Sequence, residues 1–168
     1  TDPALVSQVV RGVVERAHAP VFVKLTPSVT SIAVVARAAE QAGATAVTVA
    51  NTFPAMTVDI DRRRPVLGNG GGGLSGPAIK PLALRLVWQA AQAIQIPVIG
   101  CGGITTARDA AEFLFVGASA VQVGTATFTR PFATVQIARD LAQLVASLGA
   151  TCVTDLVGAL ARADWRGP

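Results

Sequence analysis

Ile99-Gly100-Cys101-Gly102-Gly103-Ile104 and its companion Val121-Gln122-Val123-Gly124-Thr125 decide how this chain folds. Each is an apolar, β-branched run that breaks into glycine and gives way to a helical pattern. Glycines there let a ligand approach the backbone closely, and the helix that follows offers unpaired N–H groups to an anion. Two such turns in succession, in a chain that alternates strand and helix, predict an α/β fold with a phosphate site on a β/α barrel.

The flanking segments extend that alternation in both directions. Upstream, Ile96–Gly100 reads as a strand, preceded by a helix from Ala78 to about Ile94 with Ile79, Leu82, Ala83, Leu86, Val87 and Ala90 on one side. Downstream, Thr106-Ala107-Arg108-Asp109 is a capping-box start, with Ala110, Phe113 and Leu114 facing the sheet and Gly117 ending the helix. Ala120–Val123 is the next strand. A single turn follows Gly124-Thr125, and a long helix over 132–148 carries Ile137, Leu141, Leu144 and Leu148 in register. Thr154 or Asp155 caps a last short helix, and Trp165-Arg166-Gly167-Pro168 reads as a natural end.

Nearer the start, Asp2 and Pro3 open a helix over 3–17 whose stripe is Leu5, Val9, Val10 and Val13. Val21–Leu25 is a strand. Thr30 or Ser31 caps a helix that buries Ile32, Val35, Ala36 and Ala39 and stops at Gly43. Ala46–Ala50 follows as a strand. The sum is one helix plus four βα units, half of an eight-stranded barrel. A chain that opens with a helix feeding a strand and a barrel lacking its front both fit this start.

Residues 51–77 are too long for a plain βα loop, and such insertions are usually lids or binding loops. Thr57–Ile60 and Pro65–Leu67 have the composition to pair across Asp61-Arg62-Arg63-Arg64. A flexible surface excursion accounts for the run Gly70-Gly71-Gly72-Gly73. It accounts poorly for Ser75-Gly76-Pro77, where a helix begins at once and its N–H groups need a partner.

Lys24 is a charge inside a five-residue apolar strand. It either snorkels from the strand end or stands as a cation at the mouth of the barrel, facing an anionic or electron-rich ligand.

Composition narrows the classes. The 168 residues suffice for one domain with a real core. They are 51% hydrophobic and 14% charged, which excludes disorder and favours strands buried on both faces. No apolar run is long enough to span a bilayer, and no basic n-region opens the chain. The net charge of +4 is scattered; only Arg62-Arg63-Arg64 clusters, without interleaved aromatics, which argues against nucleic-acid binding. Cys101 and Cys152 lack metal-ligand spacing, so a cytoplasmic, reduced protein is expected, with Cys101 a small buried thiol. His18, the single histidine, reads as a surface cation at a helix end.

Five ordered strings, VFVKLTPSV, TVANT, LSGPAIKPLALR, PVIGCGGI and GASAVQVGTA, closely resemble dihydroorotate dehydrogenase of class 1, nearest its NAD-linked subgroup. The resemblance covers nearly all of residues 1–160. It implies an FMN-containing (β/α)8 TIM barrel that oxidises dihydroorotate to orotate in pyrimidine biosynthesis, with residues 1–168 as the C-terminal half of that single domain. By matching motifs, Lys24 and the backbone at Ala50 would contact the flavin. Asn51 and Thr52 would hold the orotate ring. Gly76, Gly102, Gly103, Gly124 and Thr125 would line the FMN phosphate and ribityl chain.

The family's catalytic base is a cysteine on the loop after the fourth barrel strand. That segment would precede Thr1, so no catalytic residue is assigned within this chain, and neither Cys101 nor Cys152 fits the role. The resemblance further implies a homodimer and, in the NAD-linked subgroup, an iron–sulfur, FAD-containing partner subunit. Two other readings stay open. One is another flavin or phosphosugar barrel, weakened because no strand here ends in Asp or Glu. The other is an inactive half-barrel that dimerises through its open edges, at Val21–Leu25 and Ala120–Val123.

Overall fold

Alternating β-branched runs and amphipathic segments fold, over residues 2–162 described by the computed structural model, into an ordered series of elements. Along the chain these are α1 (Pro3–Val14), β1 (Phe22–Leu25), α2 (Ile32–Gln41) and β2 (Ala46–Val49). Four short strands follow: β3 (Phe53–Ala55), β4 (Val58–Asp59), β5 (Arg64–Pro65) and β6 (Gly72–Leu74). Then come α3 (Lys80–Ala91), β7 (Val98–Cys101), α4 (Ala107–Phe115), β8 (Ala120–Gln122), α5 (Ala126–Thr129), α6 (Ala133–Ser147) and α7 (Ala159–Arg162).

The frame is a parallel four-stranded sheet in the order β1-β2-β7-β8, with a helix in every crossover. This is the α/β architecture of a partial barrel, and β1 and β8 are its two open edges. Register pairs Lys24 with Thr48, Thr48 with Ile99 and Ile99 with Ala120, which sets those four side chains on one face. Two residues on, Cys101 and Gln122 share that face. Val47 and Val49 turn the other way and are fully buried beneath the helices. Gly100 lies on that helix side too: a Cβ there would stand 2.5 Å from the Phe113 ring of α4.

Helix α2 buries Ile32, Val35, Ala36 and Ala39, the stripe its sequence predicts. Ser31 is its N-cap, rather than Thr30, and makes no side-chain capping bond. Glu40, near the end of α2, accepts the backbone N–H groups of Gln95 (2.7 Å) and Ile96 (3.1 Å), fixing where the chain turns into β7. The capping box forms at α4, with Thr106 and Asp109 reciprocally bonded. Gly43 and Gly117 end their helices at φ +95° and +106°, where a Cβ is strained.

Several expectations are corrected. Helix α1 ends at Val14, not residue 17, and its buried stripe is Val6, Val10 and Val14, while Leu5, Val9 and Val13 are exposed. Both sets repeat every four residues, so the pattern could not choose between them; α2 decides, since Ser7 Oγ donates to the Ala38 carbonyl at 3.2 Å. Leu82 on α3 and Leu148 after α6 are exposed as well. Helix α3 is preceded by a 3-10 turn, Pro77–Ile79, in which the Ile79 N–H is taken by the Gly76 carbonyl.

The glycine run is not a loose excursion. Gly72 and Gly73 pair antiparallel with Ala55 and Pro54 in a β3–β6 hairpin. Within it, β4 and β5 pair Val58 with Pro65 and Asp59 with Arg64, so Arg64, expected in the turn, belongs to the second strand and Ile60 falls outside the first. Near the C-terminus Asp155 caps no separate helix. It sits inside a 3-10 turn, Val153–Leu156, and accepts from the Thr151 N–H, the Thr151 hydroxyl and the Cys152 N–H. Those three bonds hold its carboxyl at about 2, below the usual range. The expectation for 165–168 lies outside the described residues.

Candidate functional site

The C-terminal ends of β1, β2, β7 and β8 open into one cleft of about 350 Å3. This is the end of a parallel sheet where loops of successive βα units converge. Every site residue expected from the sequence lines it.

Lys24 enters from β1 on the inner face of the sheet and is exposed to solvent. Ala50, Asn51 and Thr52 follow β2 directly. The Asn51 side-chain carbonyl accepts the Thr52 N–H at 2.8 Å, which fixes the amide and leaves its NH2 group turned to donate elsewhere. Thr52 is held from behind by the hairpin: a Cβ on Gly73 would lie 2.6 Å from the Thr52 Cβ, so only glycine admits that contact.

The glycine turns form the opposite wall. Gly76, Gly102 and Gly103 have φ of +91°, +140° and +75°. A Cβ on Gly103 would stand 2.8 Å from the Lys80 backbone nitrogen and 2.9 Å from the Gly76 carbonyl. The turn after β7 therefore lies flush on the turn that precedes α3. Gly124 differs: its missing side chain leaves nothing within 4 Å. Its bareness serves neither backbone conformation nor packing, and it leaves space for a ligand. Thr125 Oγ1 donates to Ser75 Oγ at 2.9 Å, joining the turn after β8 to the Gly76 turn. Arg130, just past α5, donates to the Thr105 carbonyl and ties the β8 side to the β7 side.

Beneath this wall lies a charge network. Asp109 accepts Lys80 Nζ at 2.6 Å on one oxygen and the Thr105 N–H, Thr105 hydroxyl and Thr106 N–H on the other. Burial pushes the Asp109 carboxyl up, but the bonds from Lys80, Thr105 and Thr106 outweigh it and hold the group well below the usual carboxylate range. Lys80 is correspondingly raised by its bonds to Asp109 and Glu112.

Cys101 is corrected by the structure. It is half-buried, lines the cleft, and accepts a hydrogen bond from Lys24 Nζ at 3.8 Å. Gln122 and Thr105 are further lining residues that motif reading missed. Gln122 carried a usable signal, as a polar residue on the inner-face register of an apolar strand. Cys152 and His18 lie outside the cleft and are exposed.

Among the described residues no carboxylate lines the cleft; Lys24 is the charged side chain there, among hydroxyls, the Asn51 and Gln122 amides and glycine turns. Such a donor set suits an anionic ligand with a phosphate tail, and Gly124 leaves open space on the cleft wall where a Cβ would stand. Among the described residues no group of His, Cys, Asp or Glu is placed to hold a metal ion, and no helix is long and apolar enough to cross a membrane.

Comparison with known proteins places these features in a lineage. The family model described as dihydroorotate dehydrogenase matches residues 1–145. The chain is 51% identical over 160 residues to the catalytic subunit of dihydroorotate dehydrogenase B (NAD(+)) of Geobacter sp. strain M21, covering 95% of this chain and 52% of that protein. The subunit of the same name from Pelobacter propionicus is 52% identical, over 95% of this chain and 53% of its own length. A protein of Solibacter usitatus provisionally named dihydroorotate dehydrogenase A (fumarate) is 53% identical, over 95% and 52%. The chain thus spans about half the length of the curated relatives it matches. With the family model covering most of its length and five site segments meeting in one cleft, the chain belongs to the dihydroorotate dehydrogenase family.

Proposed function

We propose that residues 1–168 form the C-terminal half of an FMN-binding β/α barrel that oxidises dihydroorotate to orotate in pyrimidine biosynthesis. The observation that carries this reading is the meeting of Lys24, Asn51, Thr52 and three glycine turns in one cleft that no carboxylate among the described residues lines. When bound, FMN supplies the hydride acceptor.

The chain's own residues then have distinct tasks. Gly102, Gly103, Gly124 and Thr125, with Gly76 beside them, admit the phosphate and ribityl chain. Lys24 sets an ammonium beside the pyrimidine end of the flavin and stabilises the negative charge of its reduced form. The backbone at Ala50 contacts the ring system, and the Asn51 amide and Thr52 hydroxyl bind the orotate ring. The base that removes the C5 proton comes from the complementary half of the barrel. The name catalytic subunit carried by the relatives supports a further subunit; that it is an iron–sulfur, FAD-containing one, and that the catalytic protein is a homodimer, are part of the same proposal.

The test is reconstitution. The chain is joined to the complementary half of the Geobacter relative, and flavin absorbance and orotate formation are measured. Retained flavin with orotate formation supports the reading. Retained flavin without turnover of dihydroorotate points to another flavin barrel, and a colourless protein overturns the flavin site itself.

A further inference from the structure

Lys24 and Cys101 are not neighbours in the sheet. Strand β2 runs between β1 and β7, so the two strands stand about 10 Å apart, two inter-strand spacings, and Cys101 lies two residues further along β7 than the level of Lys24. The lysine side chain nevertheless crosses the inner face of β2 and brings Nζ to 3.8 Å from Cys101 Sγ. Among the described residues no carboxylate lines the cleft, so none of them competes for it as an ion-pair partner. Register explains how the two meet. Lys24, Thr48 and Ile99 share the inner face, and Cys101 is the next inner-face residue along β7. Cys101 also immediately precedes the Gly102-Gly103 turn, so its sulfur sits where the floor of the cleft meets its phosphate wall.

A long lysine side chain has many rotamers, and a single polar contact at its tip selects among them. We propose that Cys101 is a positioning residue for Lys24: its sulfur draws the ammonium across the floor of the cleft to the place where it stabilises reduced flavin. This rests on the flavin reading above. The thiol itself exchanges no proton or electron in this role. Its contribution is to hold a cation where charge develops, and that acts on the reduced cofactor more than on the oxidised one.

The juxtaposition is tested on the 168-residue chain without flavin. A short bifunctional aryl reagent that joins amine to thiol is expected to link residues 24 and 101, and Lys24→Met abolishes the link. Finding no such link in the unsubstituted chain overturns the inference.

The consequence is tested on the reconstituted protein by a double-mutant cycle read in the potential of bound flavin. Cys101→Val, close in size but without an acceptor, is expected to weaken the preference for reduced over oxidised flavin by about tenfold, about 30 mV for a two-electron couple. Cys101→Ser restores it, and in the Lys24→Met background Cys101→Val changes nothing. Cys101→Ala gives the same comparison if the valine variant does not fold. An equal shift with and without Lys24 shows a packing effect and overturns the inference, as does no shift at all. Flavin bound normally with no coupling sinks this inference alone, whereas failure to bind flavin sinks the reading beneath it.

Discussion

Lys80, in the first turn of α3, sets its Nζ 2.6 Å from Asp109 Oδ1, in the first turn of α4. Glu112 joins the pair at 2.9 Å. The helices before and after the Gly102-Gly103 turn are pinned to each other by this contact, and the second Asp109 oxygen holds the turn itself through Thr105 and Thr106. One carboxylate thus connects two helix starts and a ligand wall.

Removing that carboxylate leaves three donors of Thr105 and Thr106 without their acceptor and Lys80 with Glu112 alone. Asp109→Ala is expected to cost about 3 kcal/mol, since hydrogen bonds to a largely buried charge are worth more than neutral ones. Lys80→Met costs less, because the threonine donors to Asp109 persist. Urea unfolding of the two variants checks the order. Equal losses would mean that the ion pair, rather than the threonine bonds, dominates.

Acid acts through the same group. Its carboxyl lies well below 3.8 in the fold, so its stabilisation is complete above that value and is lost progressively as the pH falls below it. The urea midpoint is expected to drop on acidification below 3.8, and Asp109→Asn flattens that drop. Asp155, held at about 2, titrates over the same window, so the comparison is made in an Asp155→Asn background.

Two glycines separate packing from ligand space. Gly103→Ala forces a Cβ within 2.9 Å of two backbone atoms at φ +75°, at a cost of about 1–3 kcal/mol, and disrupts the cradle. Gly124→Ala meets nothing within 4 Å, so stability stays within about 0.5 kcal/mol while FMN affinity falls. Thermal melts with flavin titrations read both quantities. An alanine at residue 124 that binds FMN as well as the parent would remove Gly124 from the proposed cradle.

The exposed face of α1 and the open β1 edge govern the isolated chain. Leu5, Val9, Val13 and Phe22 are each about half exposed or more. The chain alone is expected to self-associate with concentration, and Leu5→Glu with Val9→Lys reduces this by light scattering. It is also expected to form no orotate from dihydroorotate, which an absorbance assay checks.

Much of the site was legible because its chemistry is local in sequence. Gly102-Gly103 and Gly124-Thr125 announce themselves as strand-to-helix breaks, and Thr106 and Asp109 fall at capping-box spacing. The α2 stripe was legible because it has one apolar face. The α1 stripe was not, because the helix has two, and only its packing on α2 selects Val6, Val10 and Val14. The β3–β6 hairpin was hidden because glycine carries no alternation for a strand pattern to show. The contact of Lys24 with Cys101 joins residues 77 apart across an intervening strand, and no spacing rule reaches it.

All of the proposed cofactor and substrate contacts on this chain fall between Lys24 and Thr125, on one uninterrupted stretch of sheet and its loops. Inheritance follows from that continuity. Recombination upstream of Lys24 would exchange the complementary half of the barrel while passing on these proposed contacts as one block.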